Sequence, residues 1–188
     1  MKNIENKRIK IDGNRIFLRI LRQSDATKEY CGWLNDSRVN LYLATKRATI
    51  AGLKKYIREK NKSSNALLFG IFFRENQKHI GNIKLEPIDF KESKTTVGIM
   101  IGDKNYWGKG LATEAIKLLT DFAFRKLKLG EVNLGVISEH KSAIKAYKKA
   151  GLKIDKVEKK SVRYGNKVYD KLTMSIKNVN KRKHERKI

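Results

Sequence analysis

An apolar run at residues 95–101 passes through Gly102-Asp103-Lys104-Asn105-Tyr106-Trp107 into Gly108-Lys109-Gly110. The longest helical pattern of the chain opens at once, with Leu111, Ala115, Leu118, Leu119, Phe122 and Leu127 near 3.6-residue spacing. A strand that feeds a long amphipathic helix through a glycine turn leaves few architectures open. Glycines at 108 and 110 let backbone N–H groups approach a bulky anion with no Cβ in the way, and a helix N-terminus adds a dipole that favours negative charge. A pyrophosphate suits such a turn. Gly108-x-Gly110 lacks the third glycine of a dinucleotide-binding fingerprint, and no Gly-Lys-Ser/Thr stands at P-loop spacing, so the common nucleotide folds do not fit. Replacing either glycine with a β-branched residue is expected to exclude the anion while leaving the fold largely intact.

The rest of the chain supplies short strands and helices in alternation. After the Asp12-Gly13-Asn14 turn, Arg15 to Leu21 read as a half-buried strand. Ser24 and Asp25 are predicted to cap a helix through Tyr30, Trp33 and Leu34 that Asn35-Asp36-Ser37 ends, and a second helix is predicted over 49–60. Residues 67–73 and 80–85 read as a hairpin joined by Glu75-Asn76-Gln77-Lys78, and Gly130 is predicted to stop the long helix. A strand follows through Val132, Leu134, Val136 and Ile137, then a helix over 142–150, then two strands bracketing Tyr164-Gly165-Asn166-Lys167. The expected fold class is α/β in the broad sense (α+β): one domain over 12–177, with a mixed central sheet of about seven strands and about four flanking helices. Residues 1–11 form a polar leader. The tail over 178–188, with Lys181, Arg182, Lys183, Arg186 and Lys187, is too poor in apolar residues to order itself.

The glycine turn in its context resembles the acetyl-CoA-binding motif of the GNAT superfamily of N-acetyltransferases, Gln/Arg-x-x-Gly-x-Gly/Ala. It stands here as Asn105-Tyr106-Trp107-Gly108-Lys109-Gly110 followed by Leu-Ala-Thr-Glu-Ala, with Asn105 departing from the first position. The family's second signature, Asn-x-x-Ala/Ser-x-x-x-Tyr-x-x-x-Gly-Phe, is matched from His140 through Ala143 and Tyr147 to Gly151-Leu152. His140 replaces the usual Asn and Leu152 the usual Phe. Trp33-Leu34-Asn35-Asp36, the wording around Gly108 and the Ile80-Gly81 strand look like the branch of ribosomal-protein N-terminal and amino-sugar acetyltransferases.

The resemblance implies that the family's fourth and fifth strands splay apart around the pantetheine arm, with Ile99, Met100 and Ile101 lining it. It implies pyrophosphate contacts from Trp107, Gly108, Lys109, Gly110, Leu111, Ala112 and Thr113, and cofactor contacts from Asn105, His140, Ser142 and Tyr147. The side chain of Lys109 is equally readable as solvated. Tyr147 matches the tyrosine that protonates the departing thiolate, for which a phenol of pKa about 10 is a plausible donor. His140 either takes a proton from the acceptor ammonium or hydrogen-bonds the cofactor as Asn does. Glu139, Glu86 and Asp103 are the carboxylates to consider as general base, and Trp33 and Tyr42 fall where the acceptor site forms, as stacking platforms or as core. No metal is expected.

Forty-four Lys and Arg against nineteen Asp and Glu give a formal charge of +25, which draws in anions and repels cations. The expected acceptor is therefore a nucleotide-linked amino sugar or the N-terminus of an acidic protein, rather than a polyamine. The same charge motivates an alternative, a nucleic-acid-binding protein without catalysis, although no helix-turn-helix, zinc-finger or RNA-binding signature is present. One cysteine, Cys31, precludes an internal disulfide, and neither a signal-peptide h-region nor a membrane-length apolar stretch occurs. A cytoplasmic enzyme acting as monomer or homodimer is expected.

Overall fold

The computed structural model describes residues 8–43, 45, 47–164 and 166–179. Eight strands form one sheet: β1 (Lys10–Asp12), β2 (Ile16–Ile20), β3 (Leu67–Phe73), β4 (His79–Asp89), β5 (Lys94–Ile101), β6 (Glu131–Ile137), β7 (Lys153–Tyr164) and β8 (Lys167–Lys177). Four helices flank it: α1 (Lys28–Asn35), α2 (Ile50–Lys62), α3 (Leu111–Arg125) and α4 (Lys141–Lys149). The strand order is β1-β2-β3-β4-β5-β6-β8-β7. Every neighbouring pair is antiparallel except β5 and β6. Their parallel pairing requires a crossover, and α3 provides it.

The sheet has one strand more than the seven expected. Lys10 and Ile11, assigned to the leader, pair with Arg19 and Leu18, so the Asp12-Gly13-Asn14 turn closes a short hairpin instead of starting the fold. Two helix ends also differ. Ser24 and Asp25 lie in a 3-10 turn (Gln23–Asp25), where Arg19 holds the Asp25 carboxylate through two 2.7 Å hydrogen bonds, and Thr27 caps α1 instead by accepting from the Tyr30 N–H. Helix α3 stops at Arg125, not at Gly130. Lys128 takes a left-handed φ of 58°, and the Gly130 N–H donates to the Ser93 carbonyl, which turns the chain into β6. The basic tail from 180 onward lies outside the described residues.

Helices cover both faces of the sheet. Leu111, Ala115, Ile116, Leu119 and Ala123 of α3 bury against Ile16, Leu18, Phe69, Ile83 and Val132, with Tyr147, Ala150 and Leu152 completing that layer. Burying each Leu or Ile side chain contributes about 1.5–3 kcal/mol, so this face holds α3 firmly against β5 and β6. On the opposite face Tyr30, Trp33, Leu34, Leu53 and Ile57 pack on Phe17, Leu68 and Phe72. Among the described residues no helix is long and apolar enough to cross a membrane.

Candidate active site

Strand β5 stays paired with β4 as far as Gly81↔Ile101, yet its ladder to β6 covers only Lys94↔Glu131, Thr95↔Val132 and Thr96↔Asn133. The Thr96 hydroxyl donates to the Asn133 side-chain oxygen at 2.8 Å across the last paired position. Beyond it the two strands diverge and the backbone of 97–101 loses its strand partner on that side, although the Ile101 carbonyl accepts from the Trp107 indole N–H at 2.7 Å. The fork opens a cavity of about 830 Å³. Ile99, Met100 and Ile101 line it from β5, and Gly135, Val136 and Ile137 line it from β6.

The glycine turn closes one end. Gly108 (φ 73°) and Gly110 (φ 75°) are both left-handed. A Cβ at Gly108 would meet nothing within 4 Å, so backbone conformation and not crowding demands glycine there. Gly110 is the N-cap of α3 and supplies no side chain, which leaves the first N–H groups of the helix without a side-chain cap. Trp107, Gly108, Gly110, Leu111, Ala112 and Thr113 all line the cavity. Open donors at a helix N-terminus beside an unpaired strand edge suit a ligand with a phosphate end and an amide-bearing arm.

The acetyltransferase (GNAT) domain model matches residues 15–153. This chain belongs to the GNAT family. It is 28% identical over 177 residues to "Probable N-acetyltransferase YjcK" of Bacillus subtilis, covering 89% of this chain and 97% of that one. Over 75 residues, 40% of each chain, it is 36% identical to the spermidine N(1)-acetyltransferase of Escherichia coli K12. The Vibrio cholerae spermidine N-acetyltransferase solved with CoA and spermine superposes with a TM-score of 0.80 at 19% identity, covering 88% of this chain and 96% of that chain, and so shares the fold. The GNAT chain is an acetyl-CoA-dependent N-acetyltransferase, with acetyl-CoA as co-substrate.

In this GNAT domain α4 contributes Ser142 and Tyr147 to the cavity, and its N-cap residue His140 lines the cavity beside them. Tyr147 is buried, and burial pushes its phenol up to about 12. The His140 ring lies tilted by 43° against Tyr42 with centroids 4.9 Å apart, and its Nδ1 is 3.2 Å from the Ser142 hydroxyl. Burial holds its imidazole below the ordinary 6.5, so it is neutral at pH 7. The Thr113 hydroxyl donates to the Ala146 carbonyl at 3.2 Å and ties α3 to α4.

Two expected contacts lie elsewhere. Asn105 is exposed in the 3-10 turn Lys104–Tyr106, where its N–H donates to the Asp103 carboxylate that caps the turn. Lys109 is also outside the cavity lining, with its ammonium 5.4 Å from the Tyr106 ring centroid. None of the three carboxylates considered as base lines the cavity. Burial raises the Glu86 carboxyl, but Lys60 and Lys84 outweigh it and leave it below the usual range. Asp103 is likewise desolvated, yet Lys78 at 2.9 Å and the Asn105 N–H hold it low. Glu139 accepts from the Ser138 hydroxyl at 2.7 Å. Trp33 is core: it packs against His79 and Tyr30, and a Cβ on Gly102 would strike its indole at 2.2 Å.

The far end of the cavity was legible only at Tyr42. Arg38, Val39, Tyr42 and Leu43 line it from the connection between α1 and α2. That connection is fastened by Asn40, whose side chain donates to the Leu34 carbonyl at 2.7 Å, by the Asp36–Lys104 ion pair, and by the Tyr164 hydroxyl donating to the Tyr42 carbonyl at 3.1 Å. Val162, Tyr164 and Lys171 reach the site from the β7–β8 hairpin. They carry no local signal, because only the pairing of β8 with β6 brings that hairpin across the fork.

Proposed function

We propose that this enzyme acetylates an acceptor amine that is anionic overall, a nucleotide-linked amino sugar or the N-terminus of an acidic protein, by direct attack on the thioester. The observation that carries the reading is the charge of the cavity wall. Arg38, Lys145, Lys149 and Lys171 line it, and among the described lining residues there is no Asp or Glu. A polyamine would enter that cavity with no carboxylate to offset its own charge. Tyr42 beside His140, and Tyr164 beside Tyr42, offer ring faces for a sugar or a planar group.

In this mechanism the fork holds the thioester in line with the amine, which supplies most of the rate by positioning. An unpaired N–H of 97–101 polarises the thioester carbonyl. The amine attacks in its neutral form and gives up a proton to solvent as the C–N bond forms, while Tyr147 protonates the sulfur as the C–S bond breaks and its phenolate then recovers a proton from solvent. Neutral His140 holds the cofactor by hydrogen bonding in the position of the family's Asn. A nucleic-acid-binding role without catalysis has only the net charge of +25 in its favour.

The test is a thiol-release assay with acetyl-CoA across amines of graded charge. The expected kcat/KM for an anionic amino sugar exceeds that for spermidine by about tenfold or more, and the gap narrows as salt screens the cavity. Preference for spermidine at low salt would overturn the acceptor assignment.

A further inference from the structure

We infer that Arg15, which lies outside the cavity lining and 94 residues before the turn it touches, is a positioning residue that fixes the peptide between the two glycines for cofactor binding. This inference rests on the reading that the cofactor's pyrophosphate sits at that turn. The Arg15 Nη1 donates to the Lys109 carbonyl at 2.8 Å, and its Nε donates to Glu114 at 3.1 Å. Glu114 stands in the first turn of α3. Its other carboxylate oxygen accepts from the backbone N–H of Arg15 at 2.8 Å and of Ile16 at 3.3 Å. The guanidinium is thereby oriented by the helix whose N-terminus it serves.

In a trans peptide the C=O of one residue and the N–H of the next point in opposite directions. Holding the Lys109 carbonyl toward Arg15 therefore turns the Gly110 N–H away from Arg15, and Gly110 lines the cavity. The hold matters because this peptide turns on ψ of Lys109 and φ of Gly110, and the left-handed Gly110 crosses φ/ψ space with little steric resistance. Without Arg15 the 109–110 peptide can rotate and present a carbonyl where an anion needs a donor. The Gly13 corner crowds the same spot: a Cβ there would come within 2.8 Å of a Glu114 carboxylate oxygen, so the β1–β2 turn is pressed onto α3 at this point.

The experiment is an 15N-resolved NMR titration of wild type and Arg15→Met with CoA and, separately, with pantetheine, which has the arm but no pyrophosphate. In the free protein the Gly108 and Gly110 amide signals are expected to be single in wild type and to broaden or double in Arg15→Met. Affinity for CoA is expected to fall about tenfold, the loss of one charge-assisted hydrogen bond, with pantetheine affinity unchanged. Equal loss for both ligands, or glycine signals that do not change, would overturn the inference. Gly108→Ala separates the two readings. If it too fails to discriminate CoA from pantetheine, the placement of the pyrophosphate is wrong; if it discriminates and Arg15→Met does not, only the role of Arg15 falls.

Discussion

Tyr147 lines the fork from the buried face of α4, and with its phenol pushed up to about 12 it stays protonated across the range in which amines are acetylated. Phenylalanine keeps the ring and removes only the proton. Tyr147→Phe is therefore expected to slow single-turnover acetyl transfer about 10- to 100-fold, the range for a general acid, with acetyl-CoA affinity little changed. An unchanged single-turnover rate would leave Tyr147 as packing. Its motif position made this residue legible. The competing base candidates could not be sorted in the same way, because Glu86 and Asp103 are taken out of play largely by Lys60 and Lys78, partners distant in sequence, with Lys84 adding to the hold on Glu86 from two residues away on β4.

At the scale of elements, the strand, glycine turn and α3 form one device whose parts have different sensitivities. Glycine replacement at the turn leaves the fold largely intact on the sequence pattern alone, but the left-handed φ of 73° at Gly108 means that any side chain there is strained although space is free. Gly108→Ala is expected to cost roughly 1–2 kcal/mol in urea melts while weakening CoA binding by a larger factor than that strain accounts for. Equal losses in the two measurements would make the turn purely structural. The fork follows the same logic: the strands were readable from their apolar runs, whereas the point at which β5 leaves β6 depends on Thr96 meeting Asn133, a side-chain contact across 37 residues.

At the scale of the whole molecule, burial sets a pH dependence. His79 is enclosed by Tyr30, Trp33 and Phe72, and burial lowers its imidazole below 6.5 despite hydrogen bonds to the Gly81 carbonyl and the Asn82 side chain. His140 is lowered for the same reason. Both bind protons less readily folded than unfolded, where the value is about 6.5. Their contribution is intact above about pH 6.5 and is lost as pH falls from there toward the depressed folded values, with the carboxylates held low by lysines and arginines adding losses further down. Urea midpoints measured from pH 7.5 to 5 are expected to drop below about 6.5; a flat profile would show that neither histidine is protonated on unfolding in that window.

By itself the sequence determined the secondary-structure order from β2 onward, the glycine turn at the head of α3, the GNAT motifs and the basic character of the whole, because these reside in periodicity, in residues with special backbone freedom and in charge, all of which are local. Tertiary structure alone decided the pairing of Lys10–Asp12 onto β2, the burial of Trp33, the exclusion of Asn105, Lys109 and the three carboxylates from the cavity, and the arrival of Arg38, Tyr164 and Lys171 at its wall. Those outcomes depend on which surfaces meet across the sheet, and a side chain's neighbours, desolvation and ion pairs come into being only when distant segments are brought together.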